Sequence, residues 1–309
     1  MRSSPALLLA LGLGTPLAAQ YATPGPPRFA GYAQTRFQSI GDSAVFLLRR
    51  ARLGAQGALA PWATFKVQAE LRSGGTGATA ATVAATDLYV ALTHAEWSGV
   101  VGQFKTPFSR EFILSSTLLE LADRPLVVDA LVPNRDVGMM AQWERAGRVT
   151  VQGGVFNGEG INRARNTDNR MLYIGRLVVT PIKGVDVGGA VAAASDSTRV
   201  DAELSARRGA WTLRAEYLQR HRATPQDEAR GWWALAAYTV RPQRVQLVGR
   251  AEQFDPSSAA GNRSTAYTAG LQWFFRGDDL KLLASYGVFI EQGPSVSNNR
   301  AIVQLQGRW

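Results

Sequence analysis

The chain has 309 residues, no cysteine and a formal net charge of +10, and 30 of its 34 basic residues are arginine. Without cysteine the chain has no disulfide framework, and it contains no internal apolar run of the length that a membrane helix needs. A basic chain suggests nucleic acid as a partner, but the first 20 residues argue for export and against that partner.

Residues 1–20 predict a signal peptide. Arg2 supplies a positive start, Leu7 to Leu13 form an apolar core too short to span a bilayer, and cleavage is expected near Gln20 or Tyr21. The mature domain is therefore residues 21–309. In an exported chain the arginine excess suggests attraction of anions. A genome that prefers arginine codons would explain the ratio of arginine to lysine, but not the positive net charge.

The mature chain alternates between apolar and polar residues. The pattern is clearest at Trp62 to Arg72, where Lys66 and Glu70 share one face and Phe65 and Val67 the other. Such segments recur about sixteen times, as expected for an outer-membrane barrel. They lie near residues 28–38, 43–57, 61–73, 86–93, 97–105, 135–145, 148–157, 170–180, 184–193, 197–207, 211–221, 231–241, 244–254, 264–275, 279–290 and 299–309.

The connections alternate in length. If the first faces outside, the odd-numbered connections are mostly long and the even-numbered ones short, which is the known asymmetry of external loops and periplasmic turns. A soluble sandwich gives no reason for this alternation. Tryptophans at strand ends next to short turns predict an aromatic girdle at the periplasmic interface, although Trp62 and Trp97 fall on the polar parity.

The longest connection, residues 106–134, has helical spacing and is too apolar for a disordered loop. We expect it to fold into the lumen and narrow it. The predicted fold is thus all-β: a transmembrane antiparallel β-barrel of about 16 strands with an inward-folded, partly helical third external loop. The predicted location is the bacterial outer membrane, with its lipid as a partner.

Three segments resemble the phosphate-selective porin O and P family: residues 46–53 (Phe-Leu-Leu-Arg-Arg-Ala-Arg-Leu), 102–109 (Gly-Gln-Phe-Lys-Thr-Pro-Phe-Ser) and 134–138 (Asn-Arg-Asp-Val-Gly). Their order and spacing match the family over the first half of the mature chain. The resemblance implies a sixteen-stranded barrel, usually a homotrimer, that passes phosphate or polyphosphate through a basic constriction. By motif, the pair Arg49-Arg50 corresponds to paired arginines of that constriction. The chain departs from the family in having few lysines.

Arg50 and Arg52 share a parity and are expected to stack on the water-facing side of the second strand, where they would attract anions. The alternative is that they pair with lumen carboxylates such as Glu70, Asp87 or Glu144 and brace the barrel. Arg49 has the opposite parity and would face lipid unless a β-bulge turns it inward, so we expect a bulge there.

Further candidates for the constriction are Lys66 and Lys105 on neighbouring strands, and Arg110, Arg124 and Arg135 on or beside the long connection. For Arg124 and Asp136 a structural role is the favoured interpretation, in which Arg124 pairs with Asp123, Asp129 or Asp136 and holds the connection in place.

An enzymatic function has little support, because the only two histidines, His94 and His221, lie at opposite ends of the predicted barrel. No cluster predicts a metal site, and no cofactor is implied. The leading hypothesis is passive diffusion of small anions, with phosphate and polyphosphate first. The alternatives are a weakly selective general porin and a structural or binding barrel that the long connection plugs.

Overall fold

The computed structural model describes residues 25–72, 82–163, 165–222, 228–257, 262–293 and 296–309. The predicted signal peptide lies outside the described residues. No helix within these ranges is both long and apolar enough to cross a membrane.

Sixteen antiparallel strands in the described part of the chain close into a barrel, which confirms the predicted fold class. Every strand pairs with its neighbours in sequence, and the first pairs with the last, with Tyr32 opposite Arg308. The strands are β1 (Arg28–Ile40), β2 (Ser43–Ala60), β3 (Ala63–Arg72), β4 (Thr82–His94), β5 (Trp97–Lys105), β6 (Arg135–Arg145), β7 (Val149–Phe156), β8 (Leu172–Ile182), β9 (Val185–Ala193), β10 (Ser197–Arg208), β11 (Trp211–Arg222), β12 (Ala229–Arg241), β13 (Val245–Asp255), β14 (Ser264–Arg276), β15 (Leu280–Glu291) and β16 (Arg300–Arg308).

The two faces of the barrel have opposite character. On β11, Leu213 and Tyr217 are 46% and 39% exposed, whereas Arg214 and Glu216 between them are buried. The apolar parity therefore points outward and the polar parity points into the lumen. A soluble protein would bury the apolar parity instead, so this arrangement suits a barrel surrounded by lipid.

One end of the barrel carries only short connections. They are residues 61–62, 95–96, 146–148, 183–184, 209–210, 242–244 and 277–279. The expectation that Trp97 faces the polar side was wrong: Trp97 pairs with Trp143 across β5 and β6 and is 58% exposed on the outward face. Lys105 has the same parity on β5 but reaches the central segment in the lumen, and the strand between the two residues departs from regular geometry at Gly102, where φ is +131°.

Residues 106–134, called the central segment below, contain two short helices, α1 (Arg110–Ile113) and α2 (Leu126–Leu131). The segment contacts inward-facing side chains of several strands. The Tyr32 hydroxyl on β1 lies 2.6 Å from the Ser116 hydroxyl, and Ser109 donates to Glu216 on β11 at 2.7 Å. Strands β1 and β11 lie far apart around the closed ring, and only a chain inside the cylinder reaches both.

Apolar packing holds α2 against one side of the lumen. Val127, Val128 and Leu131 are buried there with Leu218 and Trp233, and α2 packs on β11, β12 and β13. The opposite face of α2 is exposed at Asp129 and Ala130. Helix α2 therefore occupies the β11–β13 side of the lumen and presents its exposed face, with Asp129, to the remaining space.

Candidate functional site

Strand β2 contains the predicted bulge. Gln34 on β1 pairs with Arg50 and Thr35 pairs with Leu48, so Arg49 is an extra residue without a partner across the ladder. A bulge of this kind changes the direction of the side chain that it inserts. It brings the Arg49 guanidinium to 3.8 Å from Asp123 of the central segment, so Arg49 faces the lumen.

Asp123 is shared by three arginines. Its carboxylate lies 2.9 Å from Arg36, 3.8 Å from Arg49 and 3.5 Å from Arg300. Burial by itself raises the pKa of Asp123, but the guanidinium of Arg36, helped by Arg49 and Arg300, outweighs burial and holds that pKa below its ordinary value. One negative charge thus faces three positive charges, and two of them are left uncompensated. We call these four residues the Asp123 cluster.

On β2, the positive charge of Arg50 is the one least neutralised by nearby carboxylates. It donates to the side-chain oxygen of Gln34 at 3.1 Å, and within the described residues no carboxylate lies at ion-pair distance from it. Gln34 in turn donates to Gln306 at 2.8 Å, which fixes the direction of its oxygen. Arg50 is therefore positioned by a neutral group and keeps its full positive charge beside the Asp123 cluster.

Four other predicted residues are paired with carboxylates. Arg52 lies 2.5 Å from Glu70, and Arg110 lies 2.6 Å from Asp186. Lys66 and Arg135 share Asp87, at 2.6 Å and 2.7 Å. These pairs match the bracing alternative considered for Arg52, although the two cations on Asp87 still leave one positive charge in excess.

Lys105 and Arg124 bind backbone carbonyls. The Lys105 ammonium donates to the carbonyl oxygens of Phe112, Ile113 and Leu114 at 2.6, 3.1 and 2.9 Å. Arg124 donates to the carbonyl oxygens of Glu111 at 3.0 Å and Leu114 at 2.8 Å. An ammonium has three donors, so Lys105 has none left for a passing anion. Lys105 therefore ties the end of α1 to β5, whereas Arg124 links two parts of the central segment to each other, without the carboxylates considered for it from sequence.

Sequence reasoning missed Arg36 and Arg300. Arg36 donates to Gln304 at 2.9 Å and to the Ala122 carbonyl at 3.0 Å, and so it is held from two sides. The two arginines are separated by most of the chain and meet because β1 pairs with β16. The sequence did carry one signal for them, because both arginines lie at inward-facing positions of predicted strands.

The wall opposite β2 contains three buried carboxylates. Asp201 and Glu203 on β10 and Glu216 on β11 are buried in the lumen, half a turn of the barrel away from β2. Arg176 lies 2.5 Å from Glu203, and Arg214 pairs with Glu111 and Glu120 of the central segment. The lumen therefore differs between its two sides: excess positive charge lies at β1, β2 and β16, whereas carboxylates and arginines, among them Arg199 and Arg220, alternate on β10 and β11.

Comparison with solved structures finds the same fold. The chain resembles the trimer form of OmpT, an outer membrane protein of Vibrio cholerae, with 12% identity over 92% of this chain and 99% of that chain and a TM-score of 0.64. It resembles the outer membrane channel DcaP of Acinetobacter baumannii with 10% identity, 92% and 97% coverage and a TM-score of 0.65. A variant of Rh. blastica porin gives 12% identity, 92% and 100% coverage and a TM-score of 0.63.

Comparison with curated proteins finds no match to this sequence. A family model does match it, at residues 29–188 and 185–292, and so covers most of the chain. Together with the closed sixteen-stranded barrel, this match identifies an outer-membrane porin, a channel protein of the bacterial outer membrane. The chain belongs to the phosphate-selective porin O and P family.

Proposed function

We propose that this porin passes small anions by passive diffusion, with phosphate and phosphate oligomers as the preferred class. The observation that carries the proposal is the excess of positive charge at one wall of the lumen. Three arginines share Asp123, and Arg50 beside them has no carboxylate partner within the described residues.

The chemistry of guanidinium supports phosphate as the substrate class. Its planar fork donates two parallel hydrogen bonds to phosphate oxygens, and it stays charged at any physiological pH. Arg49 is the most accessible member of the wall, with 37% of its side chain exposed. An anion entering the remaining lumen meets Arg49 with donors still available, and the buried Arg50 adds its positive charge to the same wall, whereas cations are repelled. Diffusion down a gradient needs no cofactor and no energy source.

A homotrimer is part of the proposal. It rests on the family's usual assembly and on the trimer form recorded for Vibrio cholerae OmpT. The mass of the detergent-solubilised protein by light scattering, corrected for detergent, tests it; a monomer mass would contradict it.

Recording in planar bilayers tests the anion selectivity. In a gradient of KCl the reversal potential is expected to show preference for chloride over potassium, and added phosphate is expected to reduce the chloride current. The double variant Arg49→Gln with Arg50→Gln should lower the anion preference while the barrel remains folded. The matched control is Arg163→Gln with Arg165→Gln, which removes two positive charges from an exposed connection.

The outcomes separate the alternatives. Unselective current that phosphate does not reduce would indicate a weakly selective general porin. No current from folded protein would indicate that the central segment plugs the barrel. An unchanged reversal potential in the Arg49 and Arg50 variant would exclude this wall as the source of selectivity.

A further inference from the structure

Arginine recurs at one rim of the barrel. The even-numbered strands run toward the end with short connections, which is periplasmic in outer-membrane barrels. Five of these strands end on arginine, namely at Arg145, Arg208, Arg241, Arg276 and Arg308. At the other rim, two of the odd-numbered strands end on arginine, at Arg72 and Arg222, and two end on acidic residues, at Asp255 and Glu291.

Four of these arginines point outward, toward the membrane. Cross-strand partners share a face of the sheet, and each of the four pairs with an apolar residue of the outward parity. The pairs are Arg145 with Val149, Arg208 with Trp211, Arg241 with Val245 and Arg276 with Leu280. We call Arg145, Arg208, Arg241 and Arg276 the rim arginines.

Two β-bulges produce this outward direction. The register of β12 shifts between Thr239 and Arg241, and that of β14 shifts between Phe274 and Arg276. Simple alternation from the buried Ala237 and Gln272 would turn both arginines into the lumen. Each bulge inserts one residue and reverses the parity after it. The backbone is therefore irregular at the two positions where regular pairing would hide the charge from the membrane.

Carboxylates of the protein neutralise little of the positive charge of the rim arginines. Within the described residues, Arg145, Arg208 and Arg241 have no carboxylate at ion-pair distance. Arg276 lies 3.4 Å from Asp279, but 74% of its side chain remains exposed. Trp211 and Trp273 lie nearby on the outward face, 52% and 48% exposed. Tryptophan concentrates at the boundary between hydrocarbon and water, which sets the rim arginines at the depth of the lipid headgroups.

We propose that the rim arginines bind the phosphate groups of anionic phospholipids in the periplasmic leaflet. Guanidinium matches a phosphodiester with two parallel hydrogen bonds, and basic residues at this depth attract anionic lipid. The four residues are spread around the barrel from β6 to β14. A ring of lipid contacts all of them at once, whereas an acidic soluble protein needs a compact face. Because they point away from the lumen, this binding is independent of the anion passage proposed above.

Lipid retention tests the proposal. The mature protein is reconstituted in vesicles of equimolar phosphatidylglycerol and phosphatidylethanolamine and extracted in mild detergent, and the bound phospholipids are quantified by mass spectrometry. We expect the wild type to retain phosphatidylglycerol over phosphatidylethanolamine by about fivefold. The preference should fall to about one in the quadruple variant. That variant is Arg145→Gln, Arg208→Gln, Arg241→Gln and Arg276→Gln.

The matched control removes four arginines from the opposite rim and should keep the preference. It is Arg163→Gln, Arg165→Gln, Arg170→Gln and Arg230→Gln. Equal retention of the two lipids by the wild type, or an equal loss in the control, would overturn the proposal. If the quadruple variant does not fold, the wild type alone tests the proposal. Its preference for phosphatidylglycerol should fall when NaCl is raised to about 0.5 M, because exposed charges are screened at that ionic strength. A preference that does not change with salt would contradict the proposal.

Discussion

Replacing Asp123 by asparagine should make the pore more selective for anions. Asp123 is the one carboxylate that Arg36, Arg49 and Arg300 share, at 2.9, 3.8 and 3.5 Å. Asparagine keeps an oxygen that accepts from Arg36 and removes the negative charge. Arg36 should stay in place because Gln304 and the Ala122 carbonyl also hold it. The substitution therefore raises the local excess of positive charge from two to three with little change of shape.

Coulomb's law sets the size of the effect. An anion bound on the far side of Arg49 lies about 6 Å from the Asp123 carboxylate, which in water costs a monovalent anion ~0.7 kcal/mol and a divalent phosphate ~1.4 kcal/mol. Removing that charge should raise chloride permeability about threefold and lower potassium permeability by about the same factor, so the permeability ratio of chloride to potassium should rise about tenfold; the apparent affinity for divalent phosphate should also rise about tenfold. The lower polarisability of a protein wall would make both effects larger, and salt would make them smaller.

Reversal potentials and phosphate titration of the chloride current in planar bilayers measure the two effects. Asp279→Asn is the control, because it removes one negative charge that pairs with Arg276 and Arg308 at the opposite end of the lumen wall. Single-channel conductance at high salt reports whether the central segment has moved. If the reversal potential of Asp123→Asn equals that of the wild type, or Asp279→Asn shifts it as much, then the Asp123 cluster does not control selectivity.

Two further predictions concern the anchoring of the central segment. Lys105→Met removes three hydrogen bonds to carbonyls of residues 112–114 and should lower the free energy of unfolding in urea by about 2–4 kcal/mol, whereas Lys183→Met, at an exposed turn, should leave it unchanged. The pKa of Asp123 is lower in the folded protein than its unfolded value of about 3.9, so its contribution to stability is present above that pH and is lost as the pH falls through the folded pKa. Unfolding midpoints between pH 7 and pH 2 should therefore fall more steeply in the wild type than in Asp123→Asn, and parallel curves would contradict this.

The roles of individual cations depended on distances that a sequence does not contain. The expected bulge at Arg49 is present, since a charge on the lipid-facing parity is costly enough to require one. Lys105 and Arg124, which parity and position also made candidates, bind carbonyls of the central segment. Arg36 and Arg300 join the site from opposite ends of the chain.

The sequence by itself determined the barrel, its sixteen strands and the alternation of long and short connections. These features follow from the two-residue period of a strand and from local turn residues, which can be read without knowing the partners. The tertiary structure decided which cations keep their charge. Closure of β1 on β16, the path of the central segment and single-residue bulges set which side chains meet across the lumen and which point to lipid. A shift of one residue in register reverses every later side chain of a strand, and the local pattern marks such a shift only where, as at Arg49, it would otherwise place a charge toward lipid.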